Sequence, residues 1–366
     1  MQFTHSEEQE EFRTALRRFL EAKSPTAEVR RRMATDAGYD EAVWKSLAQD
    51  LALTALHIPE AYGGAGFGVT ELGIACEEMG RALLCAPFFA TTVMAATAIL
   101  EGGSDDQKRA LLPALAAGDR IATLAVAEPG GDWDAANITM TATADGLTGA
   151  KSYVLDGMTA DLIVVAAKQP DGALGLYLVE GGARGLTRRA LASVDPTRKL
   201  ARLDFDRTPA ALLAGDGAAA YEKTLDTALA CLAHEMAGGA ERLREDALEY
   251  VSMRMQFGRS IASFQVTKHK AADMLLEVEL AKAAAYSAAS AIDDGDADAS
   301  GVASLAKSAG SDTYIQTAIH AVQMHGGIGF TAENDTQLWF KRAKASEAFL
   351  GTATRHRERM LAHWSA

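Results

Sequence analysis

Two stretches of this chain place side chains capable of chemistry beside abrupt helix ends. In EMAGGAERLREDALEYVSMRMQFGRSIASFQ, residues 235–265, Met236, Leu243, Leu248, Val251 and Met255 recur at helical spacing, with Arg242, Arg244, Glu245 and Glu249 between them. The pattern predicts a helix buried on one face. Its end departs from ordinary punctuation, because Arg254, Phe257, Gly258 and Gln265 bring a cation, an aromatic ring, a flexible turn and an amide into close succession. Taken alone, the same residues read as a packed helix with a glycine stop. In AVQMHGGIGFTAE, residues 321–333, Gln323 precedes the pair Gly326 and Gly327. Paired glycines let backbone come close to a phosphate, and an amide side chain can bond a ribose or phosphate oxygen. His325 beside them is, by residue type, more often a hydrogen-bonded structural histidine than a catalyst. Glu235 lies in the apolar run ACLAHEMAGGA, where an uncompensated acid is costly. Such a place suits a tuned base, or a buried glutamate paired with His234 or with an arginine from another helix.

The elements that must position these residues follow from the hydrophobic period. Residues 1–120 read as helices: Ser6 with Gln9 forms a capping box, Phe12, Leu16, Phe19 and Leu20 make one face of the first helix, and further patterns run near 40–52, 70–84, 89–101 and 105–117. The glycine-rich IPEAYGGAGFG, residues 58–68, follows no predicted strand and misses the G-x-G-x-x-G spacing, so it reads as a tight turn and not a nicotinamide fingerprint. Near residue 121 the period changes to short β-rich runs at 121–127, 138–144, 152–155, 162–167, 176–179 and 200–205, with turns at Asp145-Gly146 and Pro170-Asp171-Gly172. From about 217 the pattern is helical again, near 218–256, 265–292, 300–325, 335–348 and 353–364. The expected fold class is α+β: an N-terminal helical domain (1–120), a central antiparallel β domain (121–216) and a C-terminal bundle of four-helix type (217–366). That order leaves no room for a doubly wound sheet.

At 366 residues, with 48% hydrophobic and 23% charged residues, the chain can bury a large core and has an ordinary globular composition. The net charge of −13 argues against partners such as nucleic acid or an anionic membrane. Cys76, Cys85 and Cys231 form no C-x-x-C and no metal spacing, so no metal is expected and a reducing cytoplasm fits best. The polar, acidic start MQFTHSEEQEEF does not resemble a signal peptide. The uncharged run 82–100 contains Pro87 and three threonines, and reads as a buried helix after a loop.

YVSMRMQFGRSIASFQ resembles the Y-x-x-x-R-x-x-FG-x-x-x-x-x-FQ signature of acyl-CoA dehydrogenases, flavoenzymes that desaturate acyl thioesters between Cα and Cβ. The resemblance implies FAD as cofactor, with Arg254, Phe257 and Gln265 at positions that contact the FAD of a neighbouring subunit. A guanidinium suits the doubly anionic pyrophosphate, which it can hold in a forked pair. Gln323, Gly326 and Gly327 match the family's Q-x-x-GG-x-G-F-x-x-E positions, which approach the adenine and pyrophosphate side from the partner. The 58–68 loop is similar to the family's P-x-x-Y-GG-x-G. AVAEPGGDWD, residues 125–134, and GAKSYVLDG, residues 149–157, are similar to T-E-P-G-x-G-S-D and G-x-K-x-W-I-T-N-G, which puts Val126, Ala127, Tyr153 and Leu155 on flavin-facing positions. The chain departs from the family there, since Ala127 and Leu155 replace threonines that bond the ring and Trp133 stands where a pyrophosphate-binding serine is usual. Backbone N–H groups can serve the ring whatever the side chain.

The implied reaction needs a carboxylate to take the α-proton. Many members carry it in Y-E-G-T, but here the matching residues are Phe349, Leu350, Gly351 and Thr352. A second family location, early in the long helix, falls on Ala228 and Leu229, so it too is empty. Glu235 is the remaining candidate, seven residues beyond Ala228, on nearly the same helix face but about 10 Å further along. Glu347 reads as a solvated helix residue. The resemblance therefore implies desaturation of an acyl-CoA, with electrons passed to an electron-transfer flavoprotein, in a homodimer, a homotetramer or a heterotetramer with a homologous subunit. The alternative is a non-catalytic structural subunit that completes the FAD site of a homologous partner. Some bacterial members, including those acting on sterol side chains, are built from two unlike subunits.

Overall fold

A computed structural model describes residues 5–365 and follows the order helices, strands, helices that the change of hydrophobic period predicts. The first helix, α1 (Glu7–Lys23), starts at the expected capping box: Gln9 N donates to Ser6 Oγ at 3.2 Å and Ser6 N to Gln9 Oε1 at 3.0 Å. Then come α2 (Thr26–Met33), α3 (Glu41–Gln49), α4 (Val69–Arg81), a π-helical stretch (Phe89–Ala96) that runs into α5 (Thr97–Gly102), and α6 (Asp105–Ala116). The pattern of apolar residues does not predict α2, because TAEVRRRM buries Val29 alone. The uncharged run is a buried segment, and among the described residues no helix is long and apolar enough to cross a membrane.

The strands are β1 (Ala122–Ala125), β2 (Thr141–Thr143), β3 (Gly146–Leu155), β4 (Leu162–Lys168), β5 (Leu174–Glu180), β6 (Leu186–Leu191), β7 (Leu200–Thr208) and β8 (Ala211–Leu212). They form one sheet in the order β6-β7-β3-β2-β4-β5-β8, with β1 attached to β4. The expectation of an antiparallel domain needs correction, since the sheet is mixed. β1 runs parallel to β4, Ala122 opposite Leu162 through Ala125 opposite Val165, and Thr141 of β2 pairs parallel with Lys168. Parallel pairing requires a long crossover, and the chain between β1 and β4 supplies one. Side-chain alternation reports which face is buried and says nothing about strand direction. β6, LTRRAL, also escaped the pattern because its side chains are half-buried or exposed, with none fully buried.

The C-terminal region is α7 (Gly217–Met253), a two-stranded hairpin β9 (Met255–Gln256) and β10 (Arg259–Ser260), then α8 (Gln265–Asp293), α9 (Ala299–His325), α10 (Thr336–Ala348) and α11 (Ala353–Ser365). The helix expected to reach 256 stops at Met253. Phe257 and Gly258 have φ of 54° and 75°, the pair of left-handed residues that closes a two-residue hairpin.

The chain divides into two compact units. One contains the chain up to Arg30, Gly73–Leu84 and the chain from Leu229 on; the other contains Arg31–Leu72 and Cys85–Ala228. In the first unit, α4 and α7 touch backbone to backbone. A Cβ on Gly80 would lie 2.1 Å from the Glu235 carbonyl oxygen, and one on Gly238 would lie 2.0 Å from that of Glu77. Only glycine permits that approach.

Candidate functional site

In the helical unit, the end of α7 and the end of α9 meet. Tyr250 stacks on His325 with centroids 4.4 Å apart and rings 22° from parallel, and His325 Nδ1 donates to the Ala321 carbonyl at 2.8 Å. That stacking puts Arg254, one turn beyond Tyr250, and Gly326, next to His325, at one end of the bundle. A cavity of about 350 Å³ opens here, with Tyr250, Met253, His325 and Ile328 among its walls. Phe257 at the hairpin tip is 90% exposed, and Arg254, Gln265, Gln323, Gly326 and Gly327 are all exposed. Among the described residues the Arg254 guanidinium has no hydrogen-bond or ion-pair partner. Gly326 has φ 66° and ψ −142°, a conformation that excludes side chains, while Gly327 has no such constraint and a Cβ there would meet nothing within 4 Å. Nothing in the chain itself therefore requires glycine at 327.

In the sheet unit the residues expected to face a ring come together around a bulge. The β3–β7 register slips between Lys151 and Val154, and within the slip Tyr153 has φ 59°, a left-handed conformation that costs a non-glycine residue about 1–2 kcal/mol. The slip turns Tyr153 outward to 41% exposure while Lys151, Ser152, Val154 and Leu155 stay buried. Ser152 N donates to the Ala127 carbonyl at 2.8 Å, and Thr123 Oγ1 donates to that of Leu155 at 2.6 Å. Val126, Ala127 and Leu155 are all buried, so Tyr153 is the one of the four that presents its side chain. Trp133 is buried too, its carbonyl accepting from the Tyr221 hydroxyl. A Cβ on Gly130 would meet nothing within 4 Å, although its backbone is unconstrained.

The carboxylates are placed as follows. Glu235 is 6% exposed, and its Oε1 accepts from Arg342 Nη1 of α10 at 3.0 Å, with Arg342 itself 2% exposed. Glu347 is bound to Lys344 on the surface of α10. Ala228 and Leu229 are buried. Leu350 occupies a left-handed turn at φ 60°, is 1% exposed, and its carbonyl accepts from His356 Nε2 at 2.9 Å. Lys307 of α9, fully buried, donates to the carbonyls of Ser346 at 3.0 Å and Glu347 at 3.3 Å, which caps the last turn of α10. No carboxylate sits at residues 349–352, the turn that follows α10.

A second acid-bearing cluster escaped the sequence reading. Glu77 of α4 accepts from Arg13 at 2.7 Å, Tyr286 at 2.7 Å and His234 Nδ1 at 3.3 Å. Burial alone would push its carboxyl up, but the bonds from His234 and Arg13 outweigh that and hold it well below the usual carboxylate range. The same burial and the Glu77 charge push the Tyr286 phenol up. A carboxylate so stabilised is a poor proton acceptor.

The sequence matches the family model described as acyl-CoA dehydrogenase, N-terminal domain, over residues 6–119 and that of the C-terminal domain over residues 215–364. The chain belongs to the acyl-CoA dehydrogenase family. It is 34% identical to acyl-CoA dehydrogenase IpdE2 of Mycobacterium tuberculosis over 347 residues, 95% of this chain and 94% of that one. Among solved structures it resembles a variant of the Tcur3481–Tcur3483 steroid ACAD, with a TM-score of 0.90 and 31% identity over 98% of both chains. It also resembles the ChsE4–ChsE5 complex from M. tuberculosis, with a TM-score of 0.90 and 26% identity over 100% of this chain and 99% of that one. Acyl-CoA dehydrogenases are FAD-dependent oxidoreductases. The chain's own residues fit such a group: an exposed guanidinium, an exposed amide, and glycines at 130 and 327 that leave open space no side chain of this chain requires.

Proposed function

We propose that this acyl-CoA dehydrogenase chain serves FAD-dependent α,β-desaturation of an acyl-CoA thioester as one of two unlike subunits, with the proton-abstracting carboxylate supplied by a homologous sister chain. The observation that carries this reading is the pairing of Glu235 with Arg342 at 3.0 Å, together with leucine in the turn at 350. A base must be free to take a proton, and a carboxylate held by a buried guanidinium gives up that pairing when protonated. Glu235 could act as base only if Arg342 released it.

The chain's own contribution is binding and orientation. Arg254 would hold a pyrophosphate in a forked pair, Gln323 would bond a ribose or phosphate oxygen, and Gly326 and Gly327 would let backbone approach. Phe257 would cover a face of the bound group, and Gln265 at the start of α8 would bond it through its amide. Val126, Ala127, Tyr153 and Leu155 would line a ring on the sheet side, chiefly through backbone and the Tyr153 side chain. FAD supplies, when bound, the acceptor for the β-hydrogen. The exposed apolar residues Phe257, Leu276, Leu280 and Phe330, between 61% and 90% exposed, support burial against another chain. Two of the structural relatives carry paired names, Tcur3481–Tcur3483 and ChsE4–ChsE5, which supports an unlike partner and a steroid-derived acyl group. An electron-transfer flavoprotein would take the electrons onward. The three buried cysteines, none of them in a disulfide among the described residues, support a reducing cytoplasm.

Purification of the chain alone, and with a co-expressed homologue, tests this. Alone it should be colourless or aggregated; with the sister chain it should form a yellow hetero-oligomer bleached anaerobically by an acyl-CoA. A chain that is yellow and bleached on its own, and loses bleaching but keeps its colour as Glu235→Gln, would show instead that Glu235 is the base.

A further inference from the structure

The sheet unit contains one fully buried ammonium that the reaction does not use. Lys151 lies on β3, two residues before the outward-turned Tyr153, and has no exposed surface. Its Nζ donates to the Val126 carbonyl at 2.8 Å and to Glu128 Oε1 at 3.2 Å. Glu128 Oε1 also accepts from the backbone N–H groups of Thr139 at 2.9 Å and Met140 at 2.7 Å, while the Thr139 hydroxyl donates to Oε2. One cation and one carboxylate thus tie together the segment after β1, the lead into β2 and the bulged strand β3. Burying an ammonium is expensive unless it is fully compensated, so its presence calls for a return elsewhere.

We propose that Lys151 is a positioning residue for flavin, fixing the backbone of residues 126–131 against Tyr153 through the Val126 carbonyl and Glu128. The assignment concerns this chain's own turn and holds whichever subunit carries the base; only its flavin arm rests on the function proposed above. Two independent features agree with it. Ala127 is bonded to Ser152 in the same register, and a Cβ on Gly131 would stand 3.4 Å from the Tyr153 ring, so the turn and the ring are mutually placed. Burial pushes the Lys151 ammonium down to about 8, against the opposing pull of Glu128, which is the charged group acting on it among the described residues.

The test is hydrogen exchange on the chain and flavin retention in the purified assembly, comparing wild type with Lys151→Met. We expect amide exchange in 126–131 to speed at least tenfold with the α9 amides unchanged, flavin affinity to fall tenfold or more, and the visible flavin band to shift. Unchanged protection of the turn overturns the proposal, as does a loosened turn with wild-type flavin affinity and spectrum. A wild-type assembly without flavin would count against the flavin reading alone, and the exchange data would still judge the tie. Should Lys151→Met not fold, Glu128→Gln decides: removing the carboxylate that joins Lys151 to the Thr139 and Met140 amides should speed exchange of those amides together with 126–131, with the α9 amides unchanged. Unchanged exchange at both places overturns the proposal.

Discussion

The interior of the helical unit and the rim of the same unit treat charge in opposite ways. Inside, buried charged groups are engaged by neighbours: Arg13, Tyr286 and His234 converge on Glu77, the adjacent Glu78 of α4 accepts two bonds of 2.7 and 2.8 Å from Arg17 of α1, Arg342 holds Glu235, and Lys307 caps α10. On the rim, Arg254 has no partner among the described residues, Phe257 stands almost wholly in solvent, and Gly327 leaves open space. Interior charge is spent on joining helices, which is why an acid in an apolar helix does not amount to a base. Groups left to solvent at one end of a bundle are where the proposed binding would take place.

The largest expected effect would come from breaking the interior. Glu235→Met leaves Arg342 buried without its carboxylate and should lower the unfolding free energy by about 3–5 kcal/mol in a denaturant titration. Glu235→Met combined with Arg342→Met should recover most of that loss, because both charges then leave the core together. A single variant as stable as wild type would remove the contrast drawn above.

The rim should behave in the reverse manner. Arg254→Ala should change the stability of the chain by less than about 0.5 kcal/mol, as an exposed substitution does. In the assembled enzyme it should weaken flavin retention by about 2–3 kcal/mol, roughly 30- to 150-fold, the worth of a charge-assisted pair to a phosphate. Equilibrium dialysis of FAD against the co-purified assembly checks this. Phe257→Ala should have a smaller effect, about 1–2 kcal/mol in assembly or flavin affinity, again without a change in the melting temperature of the isolated chain.

Several parts of this contrast could be read in the sequence and others could not. The capping box at Ser6, the change of period near 121 and the long helices are local patterns, and each is found where its pattern places it apart from the C-terminal end of α7. Strand direction is not local, so the parallel β1–β4 pair was invisible. The hairpin at 255–260 was hidden because Phe257, a residue that rarely takes a positive φ, does so here. Glu235 was recognisable as an acid needing a partner, but an arginine 107 positions away is joined to it only by the fold. Lys151 falls on the lysine of the G-x-K-x-W-I-T-N-G resemblance, yet its burial and its bond to Glu128 belong to the fold. For Lys307, in SLAKSAG, composition is the available signal, since a lone lysine among small or apolar neighbours is either solvated at its tip or buried for a purpose.

Protons give a test of the interior that is graded by pH. Burial pushes His57, in the sheet unit, down to about 4, and burial together with the nearby Lys307 charge pushes His356, in the helical unit, down to about 3. Each titrates near 6.5 in the unfolded chain, so below that value the unfolded state takes up protons that the folded state refuses. Their contribution is fully present above about pH 6.5 and is lost as pH falls toward about 4 and 3, at up to about 1.4 kcal/mol per pH unit for each. His356 also donates its Nε2 proton to the Leu350 carbonyl, which fixes the neutral tautomer that packs beneath that turn. His356→Gln should therefore cut the acid slope of stability by about one proton, whereas Arg254→Ala should leave the slope as it is. Chemical denaturation between pH 4 and 7 measures both, and an acid slope that responds to the rim variant would show that the interior does not titrate on its own.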